Sequence, residues 1–256
     1  MLAPVIKEVR TIYRQSKKAR DNFWTEYVSR PPAALIVYFL RNTKITPNQV
    51  SFLAIAIALL GAATLVGWRT WLGLGVAGAL LQLAYIVDCV DGQLARLTQQ
   101  TSAAGALLDF LLDEIKAYAL LAASAVRLWL QTQKSLYLLI GLGVLFAAAC
   151  GITLTTFIRR PEYLEAIGAP PLLPATERAS FLPKSMSPVA LVEALGRLVL
   201  HYPTWFLAVC AVNRLDYFLF VYGGAHVLYL GRTALVVLWK LGRSRREPLA
   251  QKEAQQ

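Results

Sequence analysis

Residues 88–113 read DCVDGQLARLTQQTSAAGALLDFLLD. Asp88 and Asp91 close one long apolar stretch, and Asp109 and Asp113 open the next. If both stretches are helices, the acids of each pair lie about one turn apart on one face. The intervening LTQQTSA is short and polar, which predicts an antiparallel helical hairpin. A turn near residue 100 sets Asp91 opposite Asp109 and Asp88 opposite Asp113. Both pairs then sit roughly 12–20 Å below the turn, at about 1.5 Å per residue. Small residues at Gly92, Ala95, Ala104 and Gly105 would let the backbones approach or leave room for a ligand.

The chain around this hairpin is 57% hydrophobic, too apolar for an ordinary soluble domain. Six runs near membrane-spanning length are read, at 47–68, 71–95, 103–126, 135–158, 198–213 and 216–240. His201 and Pro203 make the fifth the weakest. The predicted fold is therefore all-α, an integral membrane bundle of six transmembrane helices. With the N-terminus in the cytosol, cytosolic segments carry 20 of the 26 Lys and Arg. Four external ones are Arg69, Arg127, Lys134 and Arg214; Lys116 and Arg232 fall within spans. That asymmetry predicts cytosolic N- and C-termini and a hairpin turn facing the cytosol.

Inside a bilayer each carboxylate costs roughly 2.5–3.5 kcal/mol on insertion scales, so four unpaired ones are untenable. Structural ion pairs would need basic partners, and the spans offer only Lys116 and Arg232. A divalent cation held by oxygen ligands is the economical answer. The net charge of +11 invites a nucleic-acid reading, but the basic residues follow the topology rule and suit anionic lipid headgroups. Cys89, Cys150 and Cys210 lie in predicted spans with no paired spacing and read as small apolar residues. Cys89 stands between two candidate ligands, yet a hard ion held by carboxylates would ignore a thiol.

Three segments divide the chain: a juxtamembrane region 1–45, a six-helix catalytic domain 46–241 and a basic cytosolic tail 242–256. Residues 5–30 space Val5, Ile6, Val9, Ile12 and Tyr13 for one face, with Lys17, Lys18 and Arg20 adding charge. That predicts an amphipathic helix in the interface plane, ended by Pro31 and Pro32. AALIVYFL at 33–40 is too short to span and is expected to lie along the membrane. Charge interleaved with the first apolar residues predicts no cleavable signal peptide. Thr46 before Pro47 reads as a helix N-cap. A polar cytosolic loop is predicted over 159–201, with six prolines from Pro161 to Pro188 and a short helix at 187–200. Glycines at 73, 75, 78, 141 and 143 would permit close helix packing. His201 and His226 read as hydrogen-bonded polar residues rather than ligands.

The spacing D-x-x-D-G-x-x-A-R-x8-G-x3-D-x3-D is met at Asp88, Asp91, Gly92, Ala95, Arg96, Gly105, Asp109 and Asp113 without a departure. This resembles the signature of the CDP-alcohol phosphotransferase (CDP-alcohol phosphatidyltransferase) family of integral membrane enzymes. Thr46-Pro47-Asn48 before the first span is also similar to that family. The resemblance covers residues 20–130 well and the remainder only in architecture.

The resemblance implies transfer of a substituted phosphate from a CDP-linked donor to an acceptor hydroxyl, with release of CMP. Carried over by position, Asp88, Asp91 and Asp109 would bind Mg²⁺ or Mn²⁺. Asp113 would act mainly as general base and touch the metal. Gly92, Ala95 and Gly105 would make room for cytidine and pyrophosphate, with Arg96 near the phosphates and Asn48 a nucleotide contact. A homodimer is also implied. On chemical grounds, adjacent Arg159 and Arg160 would suit a phosphate on the acceptor.

The expected substrates are CDP-diacylglycerol or a similar CDP-lipid and a polar alcohol such as glycerol phosphate or inositol phosphate. The setting would be phospholipid synthesis in a prokaryotic inner membrane, with the active site facing the cytosol. A second enzyme reading makes both substrates soluble, a CDP-alcohol and an alcohol phosphate. A divalent-cation transporter is the non-enzyme alternative, weakened because no second acidic station continues across the bilayer. An aspartate-rich prenyltransferase fits the Gly-x-x-Ala-Arg and Gly-x3-Asp-x3-Asp portions poorly.

Overall fold

A computed structural model describes residues 2–17, 21–166 and 188–244. Among them the chain is helical, with no strand. The elements are α1 (Leu2–Gln15), α2 (Arg30–Leu40), α3 (Pro47–Gly67), α4 (Trp71–Leu97), α5 (Ala103–Thr132), α6 (Leu136–Phe157), α7 (Pro161–Ala166), α8 (Pro188–Leu200), α9 (Phe206–Ala211) and α10 (Leu215–Ser244). A π-helical turn over Thr25–Ser29 leads into α2, and a 3-10 turn over Tyr202–Thr204 separates α8 from α9.

Four helices are long and apolar enough to cross a membrane: α3, α4, α6 and residues Leu215–Trp239 of α10. α5 has the length, 30 residues, but carries Asp109, Asp113, Glu114, Lys116 and Arg127. The stretch expected as a fifth span, 198–213, is not one helix. It is the end of α8, the 3-10 turn and α9. Pro203 explains the break, since it lacks the N–H that a continuous helix would use there.

The N-terminal segment also differs from its expected form. α1 ends at Gln15, and a non-helical stretch precedes the π-helical turn. Pro31 and Pro32 do not stop a helix but begin α2, whose first turn requires no N–H from them. α2 continues through Leu40 and buries Ala33, Ala34 and Val37. Lys18, Arg20, most of the proline-rich loop (167–187) and the end of the tail (245–256) lie outside the described residues.

Local chemistry sets the helix ends around the hairpin. Thr46 caps α3 in a reciprocal arrangement: its hydroxyl accepts from Gln49 N, and the Gln49 side chain accepts from Thr46 N. Thr70 and Ser102 cap α4 and α5 by accepting from Gly73 N and Gly105 N. The turn between α4 and α5 spans 98–102, with Gln99 at φ 57°. α4 and α5 are the two arms joined at this turn, and α3 packs against both, most extensively along α4.

Two apolar clusters hold the bundle. One joins α3, α4, α5, α6, α9 and α10 through residues such as Leu81, Leu120, Leu121, Phe206 and Phe218. The other joins α1, α2, α3 and α4 through Ile12, Ala33, Val37, Ala54 and Val90. Close approach requires glycine at several positions, Gly141 and Gly78 among them. A Cβ at Gly141 would stand 2.4 Å from Ala125 Cβ, and one at Gly78 would stand 2.8 Å from Cys210 Sγ.

Arg127 corrects the expected external loop. It lies inside α5, only 1% exposed. Its guanidinium donates to the carbonyls of Leu65 (2.8 Å), Trp68 (2.9 Å) and Thr70 (2.7 Å). These are carbonyls at the end of α3 and in the link to α4, where the helix leaves backbone acceptors open; Thr70 O also accepts from Leu74 N of α4.

Candidate functional site

The aspartates come together from the two arms of the hairpin, both of which pack against α3. Asp88 and Asp91 sit three residues apart on α4, Asp109 and Asp113 four apart on α5, and the short turn fixes their register. Asp88, Asp91 and Asp109 each offer a carboxylate oxygen, and these atoms lie within 4.8 Å of one another. Asp91 is buried, Asp88 half-buried and Asp109 exposed, so the trio grades from the interior toward the surface. Asp113 is not in that trio. Its carboxylate is 53% exposed and bonds Lys116 Nζ at 2.7 Å. Lys116 Nζ also bonds Asp88, so one ammonium bridges the second cross-hairpin pair.

Three carboxylates from two rigid helices, converging with oxygen-only donors, suit a hard divalent cation. Their chemistry fits Mg²⁺ or Mn²⁺. Ser51 of α3 steadies the arrangement from the side, donating to Asp91 while also bonding Pro47 O at 3.2 Å.

Beside the trio is a cavity of about 220 Å³ between the start of α3, the end of α4 and the start of α5. Asn48, Gly92, Ala95, Arg96 and Gly105 all line it, together with Ser51, Gln100, Ser102, Asp91 and Asp109. Gly92 and Gly105 keep its walls bare. A Cβ on Gly92 would meet the Arg96 guanidinium at 3.4 Å, and one on Gly105 would meet Ser102 Oγ at 3.1 Å. Oxygens of Asp91 and Asp109 therefore face a hollow with a guanidinium on its wall, a setting that suits a phosphorylated ligand.

Arg96 is braced by the N-terminal segment. Its Nε donates to Ser16 O at 2.7 Å, and Arg30 Nη1 reaches the same carbonyl at 3.4 Å. Arg30 pairs with Asp21, and its own carbonyl accepts from Gln93 Nε2 at 3.1 Å. A second tie runs from Thr25 Oγ1 to Tyr85 Oη (2.5 Å) and on to His201 Nε2 (2.8 Å). His201 is thus hydrogen-bonded, as its sequence position suggested. His226 is not: its ring packs edge-on to Tyr222 at 4.7 Å, with neither nitrogen hydrogen-bonded among the described residues.

Arg159 and Arg160 follow α6, exposed, and do not line the cavity. Glu114 is half-buried. Sequence reasoning left Ser51, Ser16 and the bridging position of Lys116 unassigned. The Asp113–Lys116 spacing was a usable signal for the last, because i,i+3 residues are helix neighbours. Nothing local marked Ser51 as a partner of Asp91, forty residues away.

The family model for CDP-alcohol phosphatidyltransferase matches residues 44–182, more than half of the chain. Curated relatives named "Bifunctional IPC transferase and DIPP synthase" also align. The protein from Rubrobacter xylanophilus is 49% identical over 74 residues, covering 29% of this chain and 16% of the relative. Its namesake from Thermococcus kodakarensis is 33% identical over 97 residues, 38% of this chain and 21% of the relative. The one from Aquifex aeolicus is 30% identical over 112 residues, 44% and 25%. The chain thus spans at most a quarter of these relatives' length.

Proposed function

Because the chain belongs to the CDP-alcohol phosphatidyltransferase family, and so is a transferase embedded in a membrane, we propose that it moves a phosphatidyl-type group from a CDP-linked lipid, CDP-diacylglycerol, to a polar alcohol and releases CMP. One observation carries this reading: the cavity lined by Asn48, Gly92, Ala95, Arg96 and Gly105 is also lined by Asp91 and Asp109, two of the three clustered aspartates.

In this reading Asp88, Asp91 and Asp109 hold Mg²⁺ or Mn²⁺. A divalent ion there neutralises charge on the pyrophosphate and its leaving group. Gly92, Ala95 and Gly105 leave the nucleotide room, Asn48 contacts it, and Arg96 faces its phosphates. Asp113 takes the proton of the acceptor hydroxyl. The freed oxygen attacks the phosphorus that carries the lipid substituent. The bond from that phosphorus to the bridging oxygen breaks, and CMP departs with the bridge. Lys116 steadies one Asp113 oxygen and leaves the other to accept the proton.

The wider architecture follows the same reading. α5 crosses the membrane despite its charges, because Lys116 pairs with Asp88 and Asp113 and Arg127 is satisfied by carbonyls. α8, the 3-10 turn and α9 make a broken sixth crossing, α1 lies in the interface, and the chain pairs as a homodimer. The segments are 1–45, 46–241 and 242–256, in a prokaryotic inner membrane with both termini and the active site on the cytosolic side. Arg159 and Arg160 meet a phosphate on the acceptor, favouring glycerol phosphate or inositol phosphate.

The curated relatives' shared name favours a second reading, in which a soluble CDP-alcohol and an alcohol phosphate react at the same centre. Purified protein with Mg²⁺ and a panel of alcohols separates the two by CMP release. Turnover with CDP-diacylglycerol and a phosphorylated alcohol supports the first reading. Turnover only with CDP-inositol and inositol phosphate replaces it with the second.

A further inference from the structure

Lys116 has a place in the acidic centre that the transfer reaction does not by itself require. Its side chain is 4% exposed, deep in α5, and its ammonium has two carboxylate partners. One is Asp88, a member of the trio; the other is Asp113 at 2.7 Å, outside it. The hairpin therefore divides its acids into two halves. Asp91 and Asp109 face the cavity, while Asp88 and Asp113 are joined by a lysine.

Phosphoryl-transfer centres that use two ions hold them about 3.5–4 Å apart on shared carboxylates. Four acids on two helices are enough for such a pair, and Asp88 is the natural shared ligand. A second ion would have to sit between Asp88 and Asp113, where the ammonium stands. Two cations cannot occupy that place together, since mutual repulsion in a poorly solvated site is strong.

Resting on the metal-dependent reading above, we propose that Lys116 is a built-in counter-cation that fills the second half of the acidic centre and limits it to one divalent ion. Asp113 then stays outside the ion's coordination shell, held by the ammonium with one oxygen directed away. Lys116 is a positioning residue here: it touches neither donor nor acceptor.

The test is a count of bound ions on full-length protein without substrates. Mn²⁺ is titrated into detergent-solubilised, metal-stripped protein, with free Mn²⁺ followed by electron paramagnetic resonance. The wild type should bind one ion per chain and Lys116→Met two, with exchange coupling between neighbouring ions in the variant's spectrum. Lys116→Arg, which keeps the charge, should return the count to one. Mn²⁺ should also raise the melting temperature of Lys116→Met more than that of the wild type, because unpaired Asp88 and Asp113 gain a partner only from the ion.

Two ions in the wild type, or one in a folded Lys116→Met, would overturn the proposal while leaving metal dependence standing. No ion in the wild type would remove the metal-dependent reading and this one with it. If Lys116→Met does not fold, the wild-type count and its spectrum decide: a coupled pair of ions refutes the proposal, and a single uncoupled ion upholds it.

Discussion

Asp113 is the residue proposed to take the acceptor's proton, and Lys116 holds one of its oxygens. Asp113→Asn should lower turnover by roughly 10²–10⁴-fold, the usual span of a lost general base. Mn²⁺ affinity should be kept, because the trio of Asp88, Asp91 and Asp109 is intact. Near-normal turnover would move the role to another group, with half-buried Glu114 first in line. For the acceptor, Arg159→Ala or Arg160→Ala should raise KM for a phosphorylated alcohol by roughly 10- to 150-fold, the loss of one charged hydrogen bond at about 1.5–3 kcal/mol. An unchanged KM for both would remove the two arginines from acceptor binding. The gathering of the aspartates was legible in the sequence because helical spacing and a short turn leave little freedom. The lysine between Asp88 and Asp113 was only half legible. Its i,i+3 relation to Asp113 is local, but its reach to Asp88 depends on how closely the two helices pack.

The elements that frame the site are fixed by caps and close contacts, and each can be tested by unfolding. Thr46→Ala removes the hydroxyl half of the reciprocal cap on α3 and should cost about 1 kcal/mol of stability. Arg127→Ala should cost more, about 3 kcal/mol, because three carbonyls lose a charged donor at once. Gly141→Val should destabilise the α5–α6 contact by about 1–3 kcal/mol through overpacking against Ala125. Thermal unfolding in detergent, read by circular dichroism, should rank Arg127→Ala above Thr46→Ala. Most helix boundaries could be read from apolar length and capping residues, as at Thr46, Thr70 and Ser102. Pro31 and Pro32 misled, because proline is as compatible with the first turn of a helix as with the end of one. His201 and Pro203 marked 198–213 as the weakest span, and the break between α8 and α9 falls there, although apolar Val199 and Leu200 run on toward Trp205 and Phe206.

At the scale of the molecule, α1 and α2 clamp the turn end of the proposed catalytic hairpin, and α6 with α10 close its far side. The clamp meets Arg96 through Ser16 O, so the N-terminal segment reaches the wall of the proposed nucleotide cavity directly. The proposed orientation predicts that a cysteine placed at Arg69, in a cysteine-free background, reacts with an impermeant thiol reagent added outside cells. One placed at Gln251 should react only after the membrane is opened, and the reverse pattern would invert the topology. The central claim is that transfer from a CDP-linked donor runs on a divalent ion held by Asp88, Asp91 and Asp109. The most direct measurement is CMP release by purified protein supplied with CDP-diacylglycerol and glycerol phosphate, before and after chelation. The account predicts that excess chelator abolishes release, that Mg²⁺ or Mn²⁺ restores it, and that Asp91→Asn stays inactive with either ion. Full CMP release in excess chelator from protein containing no metal would contradict it.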